Sequence, residues 1–238
     1  MQAELESTHL HIQDLETDRR NKYKALIILL SSSVIFLCTL LRITDGISDQ
    51  TSILLQEQLG FTNKWSKSFG PEWFIDINKD FSALGGLPLI SIFVTIIVIY
   101  YNLRHESRRL WRLLFILVFG SILMYSIKLI FASSFPDDLK EFIICSVSSF
   151  PSGHAMMGTI FYTTLAVTIS RRQHSIKTKR LTIISAILII TIIGICRVLP
   201  GIHNLKDVIA GWSLGFAWLS FCWLLERHIK KNRVKVIV

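Results

Sequence analysis

Two histidines, an aspartate, a lysine and an arginine stand at the edges of apolar runs, where ionisable groups are costly to place. His154 follows Pro151-Ser152-Gly153 at the start of one run, and Arg197 ends the next. His203 lies six residues beyond Arg197, Asp207 four beyond His203, and Lys128 near the end of an earlier run. A spacing of four is one helical turn, so Asp207 can hold one imidazole nitrogen of His203 and leave the other free to attack. Pro151-Ser152-Gly153 forms a tight turn whose N–H groups can face an anion at a helix N-terminus. His154 comes next, placed to protonate a leaving oxygen. Lys128 and Arg197 bring the positive charge that a phosphoryl group needs. Taken singly, Lys128 could snorkel, His154 could cap a helix, and Arg197 with Asp207 could be a structural ion pair. Two histidines and an aspartate could also ligate zinc, although a neighbouring lysine and arginine would repel the cation. Together the residues read as a phosphate site with a histidine nucleophile.

Elements that could hold these groups at one level follow from hydropathy. The chain is 51% hydrophobic with a mean hydropathy of +0.48, too apolar for a soluble domain. Six runs approach the ~20 residues needed to cross a bilayer as a helix. They are 24–41, 82–101, 110–132, 155–170, 181–198 and 208–225, the fourth being short and rich in Thr and Gly. The expected fold is all-α, a six-span transmembrane helical bundle. A polar stretch precedes the first run and no small-residue cleavage site follows it, so it is expected to remain as the first span. Segments 1–23 and 226–238 are expected to be cytoplasmic tails, the first solvated or frayed, flanking one membrane domain at 24–225.

Basic residues orient the bundle. Arg19, Arg20, Lys22 and Lys24 precede the first span; Arg104, Arg108 and Arg109 lie between the second and third. Arg171, Arg172, Lys177, Lys179 and Arg180 lie between the fourth and fifth, and Arg227, Lys230, Lys231, Arg233 and Lys235 follow the sixth. All four groups fall on one side, which positive charge marks as cytoplasmic. Lys128, His154, Arg197, His203 and Asp207 then gather at the outer face. Topology accounts for the net charge of +9 without a nucleic-acid partner. The first connection, 42–81, interleaves Trp65, Phe69, Trp73 and Phe74 with Lys64, Lys67, Glu72 and Asp76. Such mixing suits a segment in the headgroup layer that admits a lipid headgroup sideways. Cys38, Cys145, Cys196 and Cys222 have no metal-ligand spacing. Cys145 and Cys196 fall near the outer face, where pairing is permitted, but unpaired thiols are expected.

"FPSGHAMM" and "CRVLPGIHNLKDVIAGWSLG" resemble the second and third signatures of the membrane type 2 phosphatidic acid phosphatase superfamily, and "KDFSALGG" resembles a stretch that bacterial members carry before the second span. The likeness covers about residues 80–225. It implies that His203 forms a phosphohistidine, that Asp207 orients it, and that His154 is the general acid. Lys128, Ser152, Gly153 and Arg197 would bind phosphate, with no metal or other cofactor. The family's first signature is Lys, six residues, Arg, Pro, often with another Arg two places earlier. Here "KLIFASSFP" keeps Lys128 and Pro136 but has Ser133 and Phe135 at the arginine positions. In the third signature Cys196 replaces a common Ser, and Asn204-Leu205-Lys206 replaces a frequent Trp-Pro-Thr. The expected activity is a lipid-phosphate phosphatase at the outer face of a bacterial inner (plasma) membrane, acting on a lipid embedded in the same bilayer. Undecaprenyl diphosphate is the first candidate substrate, with phosphatidylglycerophosphate, phosphatidic acid and lipid A phosphate beside it. A lipid phosphotransferase and a non-catalytic lipid-binding protein are the alternatives.

Overall fold

A 39-residue helix, α1 (Gln2–Leu40), opens the chain. It is followed by α2 (Glu72–Ala83), α3 (Leu87–Leu103), α4 (Ser107–Ser133), α5 (Gly153–Ser170), α6 (Ile176–Val198) and α7 (Leu205–Ile237). The computed structural model describes residues 2–41, 43, 50–54, 72–133, 150–200 and 203–237, with backbone alone for 2–15, 72, 75, 132–133 and 232–237. Among these residues five helical segments are long and apolar enough to cross a membrane. They are Glu16–Leu40, Asp76–Leu103, Ser107–Phe131, Ile176–Val198 and Leu205–Lys231.

Helix α5, the expected fourth span, is not among the five, and its surroundings explain why. It packs against α3, α4, α6 and α7, and Met156, Ile160 and Phe161 are at most 1% exposed. A helix enclosed by protein needs less lipid-facing apolar surface, so it can carry Thr159, Thr163, Thr164 and Gly158. By contrast, Ile27, Leu30, Ile92, Ile96, Leu129 and Ile184 on the outer helices are all exposed, as a bilayer requires.

Two glycines one turn apart on α7 let it approach α5 closely. A Cβ on Gly211 would lie 2.6 Å from the Ser152 carbonyl oxygen, and one on Gly215 would lie 2.9 Å from Thr159 Cβ. Backbone contact at this crossing brings the start of α5 against the start of α7. Further along, α1 lies beside α7, and Arg227 pairs with the Asp18 carboxylate while donating to its carbonyl oxygen. Where described, the expected tails are thus helical continuations of α1 and α7.

Helix α2 is amphipathic in an unusual sense. Trp73, Ile77 and Phe81, spaced by four, are exposed, while Asn78 and Ser82 on another face are buried against the protein. An outward apolar stripe of this kind fits a membrane surface. The turn Leu84-Gly85-Gly86 joins α2 to α3, whose first turn accommodates Pro88 because no intrahelical N–H is required there. Tyr162 of α5 fixes this turn, its hydroxyl donating to the Leu84 carbonyl at 3.0 Å.

Candidate active site

Helix α5 starts at Gly153 because Ser152 caps it. The Ser152 hydroxyl accepts from the Ala155 N–H at 3.5 Å, and the residue is completely buried. Phe150 anchors the approach, its ring stacked at 6.1 Å on Phe36 of α1 and edge-on at 5.1 Å to Phe131 of α4. The Ser152 N–H then donates to the Asp207 carbonyl oxygen at 2.9 Å. One backbone hydrogen bond therefore joins the Pro151-Ser152-Gly153 turn to the helix that bears Asp207.

The start of α7 is capped from two directions. Asp207 Oδ2 accepts from the Asn204 N–H at 3.1 Å, a side chain reaching back over its own first turn. The Leu205 N–H donates at 3.1 Å to the hydroxyl of Ser52, which is buried and comes from the first connection. His203 is held just outside the helix, its N–H donating to the Arg197 carbonyl at 3.0 Å. Its Nδ1 sits 3.6 Å from Asp207 Oδ2, with both side chains buried. That separation is slightly longer than a hydrogen bond, so the contact is electrostatic. It turns Nε2 away from the carboxylate. Burial pushes the His203 imidazole below its ordinary value, while Asp207 pulls in the opposite direction. The lowered value favours the neutral imidazole near neutral pH.

Arg197 extends from the end of α6 and donates through Nη1 to the hydroxyl of Ser82 at 3.1 Å. Its Nε is buried with no hydrogen-bond partner among the described residues, and His203 Nδ1 is in the same state. Buried donors without partners are rare in native folds, and a guanidinium with an idle Nε is suited to an anion. Lys128 approaches from α4. A Cβ on Gly153 would stand 2.9 Å from Met124 Sδ and 3.7 Å from Lys128 Cε, so glycine makes room for the methionine while the lysine stem lies at ordinary contact distance from the cap. The charges of Arg197 and Asp207 act on Lys128, and those of Arg197, His203 and Lys128 act on His154. His154 rests on the turn before α3. A Cβ on Gly86 would lie 3.6 Å from its Nε2, and one on Gly85 2.8 Å from its carbonyl oxygen.

All seven residues singled out from sequence thus lie in one neighbourhood: Lys128, Ser152, Gly153, His154, Arg197, His203 and Asp207. Sequence reasoning overlooked Ser82, Ser52 and the Gly85-Gly86 turn as supports. Ser82 and both glycines do stand in the quoted "KDFSALGG", whereas Ser52 carried no signal. Phe135, Pro136, Cys145, Lys64, Trp65, Lys67 and Phe69 lie outside the described residues, as does the side chain of Ser133. Among the described residues Cys38, Cys196 and Cys222 are free thiols. Among the described residues no three His, Cys, Asp or Glu side chains form a group able to hold a metal ion.

Chemically, the arrangement can receive a phosphoryl group on an imidazole and surround its oxygens with cations and N–H donors. Comparisons with known proteins point to phosphatases. The model of the PAP2 superfamily matches residues 109–231. Phosphatidylglycerophosphatase B of Bacillus subtilis (strain 168) is 29% identical over 162 residues, which is 67% of this chain and 80% of that protein. The fold is similar to the crystal structure of a transmembrane PAP2 type phosphatidylglycerolphosphate phosphatase from Bacillus subtilis, with TM-score 0.66 and 20% identity. That match covers 84% of this chain and 96% of the other. With over half its length matched by the family model, this chain belongs to the PAP2 superfamily and is a membrane phosphatase of the type 2 phosphatidic acid phosphatase kind.

Proposed function

We propose that this protein removes phosphate from a membrane lipid through a phosphohistidine on His203. The observation that carries the reading is the buried, anion-ready cluster, in which Arg197 Nε has no partner among the described residues and His203 faces Asp207. In the first step Nε2 of His203 attacks phosphorus and the P–O bond to the lipid breaks. His154 gives its proton to the departing oxygen. Lys128, Arg197 and the N–H groups at the start of α5 stabilise the charge spread over the phosphoryl oxygens. Asp207 steadies the imidazole ring while it carries the phosphoryl group. In the second step water attacks phosphorus and gives a proton back to His154. The P–N bond breaks, releasing inorganic phosphate and free His203. No metal is required by these steps.

Helix α5 is taken as the sixth crossing element, its 18 residues rising about 27 Å against a ~30 Å hydrocarbon layer. The basic connections face the cytoplasm, which sets the histidines toward the periplasm or exterior of a bacterial inner membrane. A reporter phosphatase fused to the C-terminus and active outside the cell would overturn that orientation. Phosphatidylglycerophosphate is the first substrate to test, because the similar curated protein is a phosphatidylglycerophosphatase B. Undecaprenyl diphosphate, phosphatidic acid and lipid A phosphate complete the panel. The experiment is phosphate release by purified protein, with a labelled donor lipid to separate hydrolysis from transfer to a second lipid. Release from at least one lipid, lost in His203→Ala, is expected. Folded protein that releases phosphate from none would refute the reading.

A further inference from the structure

Toward the end of α5 remote from the histidines, about 14–26 Å along the helix, lies a cavity of about 690 Å³. Its interior is formed by apolar side chains from four helices, among them Ile28 of α1, Phe115 and Ile116 of α4, Val167 of α5, and Phe216 and Leu219 of α7. Thr164 also lines it, with its hydroxyl oxygen buried and without a hydrogen-bond partner among the described residues. The rim is charged, and the charges are unequal. Arg112 and Glu226 both line the cavity and pair at 3.1 Å, and Glu226 also holds Lys230 at 2.7 Å. Lys24 and Arg171 share the rim, both exposed. Neither has a carboxylate partner among the described residues.

We propose that this cavity binds one anionic glycerophospholipid, with its headgroup phosphate on Lys24 and Arg171 and the upper part of a chain among Ile28, Phe115 and Phe216. Charge complementarity selects the headgroup, since the carboxylate present is already shared by two cations while two cations at the mouth have none. The apolar depth selects a chain, and the volume lies within the range of sites that enclose much of a ligand. The phospholipid would be drawn from the leaflet at the basic end of the bundle, where such residues meet anionic headgroups. It would also bridge α1 to α5 and α7, whose side chains face one another across the space.

Trp223 lines the same cavity and serves as a reporter. Full-length protein is reconstituted in phosphatidylcholine vesicles containing graded amounts of phosphatidylglycerol, with bromine on the chains of one lipid or the other. The Trp223 contribution is isolated by subtracting Trp223→Phe. Brominated phosphatidylglycerol should quench Trp223 at a much lower mole fraction than brominated phosphatidylcholine. Lys24→Gln and Arg171→Gln, both surface changes, should each weaken that preference about fivefold. Val167→Phe, which adds bulk to the cavity lining, should remove the preferential quenching. His203→Ala should leave it intact, separating this site from the phosphatase centre. Equal quenching by the two lipids, or a preference unchanged in the Lys24→Gln/Arg171→Gln double variant, would overturn the proposal.

Discussion

Gly85→Ala places one methyl group where the turn before α3 meets the first residues of α5. The new carbon would stand 2.8 Å from the His154 carbonyl oxygen, 2.7 Å from Ile193 Cγ2 and 3.2 Å from His154 Cβ. Ordinary contact begins at 3.4 Å, so the His154 backbone must retreat by about 0.6 Å, because a carbonyl has no rotamer to yield. Ile193 is completely buried and offers little relief. Overpacking of this kind costs about 1–3 kcal/mol of stability. Functional sites tolerate about 0.5 Å of displacement, and 1 Å can cost about 100-fold, so we expect kcat to fall about tenfold. The loss should depend on the leaving group, since His154 is proposed to protonate it. The assay compares a phospholipid phosphomonoester, which leaves as a poor alkoxide, with p-nitrophenyl phosphate, which leaves unaided. About tenfold loss on the first and no more than about twofold on the second is expected. Gly86→Ala, whose methyl would sit 3.6 Å from His154 Nε2, should be milder. Equal losses on both substrates would refute the positioning of His154 as acid, and so would full activity with a lowered Tm.

Ser82→Ala removes the hydroxyl that holds Arg197 Nη1, beside an Nε with no partner among the described residues. Leaving that charged donor unsatisfied costs about 1–3 kcal/mol, and a rise in KM greater than the fall in kcat is the expected kinetic result. Asp207→Asn should keep the fold but lower kcat about 10²–10⁴-fold, because an amide neither supports the charge on His203 nor fixes its tautomer; activity within tenfold of wild type would contradict its role. Because burial lowers the His203 value, the imidazole stays neutral below 6.5, so the acid limb of kcat/KM should fall below that value. The same group binds fewer protons folded than unfolded, so its contribution to stability is present above 6.5 and declines as pH falls toward the lower folded value. Phosphate release should persist in excess EDTA; complete loss with recovery on adding zinc would favour the zinc-ligand alternative.

Much of this architecture is legible in sequence because membranes impose length and charge rules on each helix separately. The spans at 110–132 and 181–198 coincide closely with Ser107–Phe131 and Ile176–Val198. Helix α5 was hardest to read as a span, since its threonines and glycines answer to neighbouring helices rather than to lipid. The residues with rare chemistry were also legible, since His203 and Asp207 are one turn apart in the chain itself. What supports them was not. Ser82 meets Arg197 across 115 positions and Ser52 meets Leu205 across 153, and serines are too common to announce such partners. The cavity between α1 and α7 arises from packing of the first helix against the last, which no local pattern encodes.

The hydrogen bond from the Ser152 N–H to the Asp207 carbonyl bears on how this site can be rebuilt. It welds two stretches, separated by more than fifty residues, into one exchangeable cassette. Grafting 150–158 alone from a distant family member would bring a loop shaped for a foreign partner backbone, and the mismatch would be felt at Gly211, where no side chain can absorb it. Grafting 150–158 with 203–215 carries both halves of the joint. Laboratory recombination should therefore recover active chimaeras when these two stretches share a parent, and inactive ones when they do not.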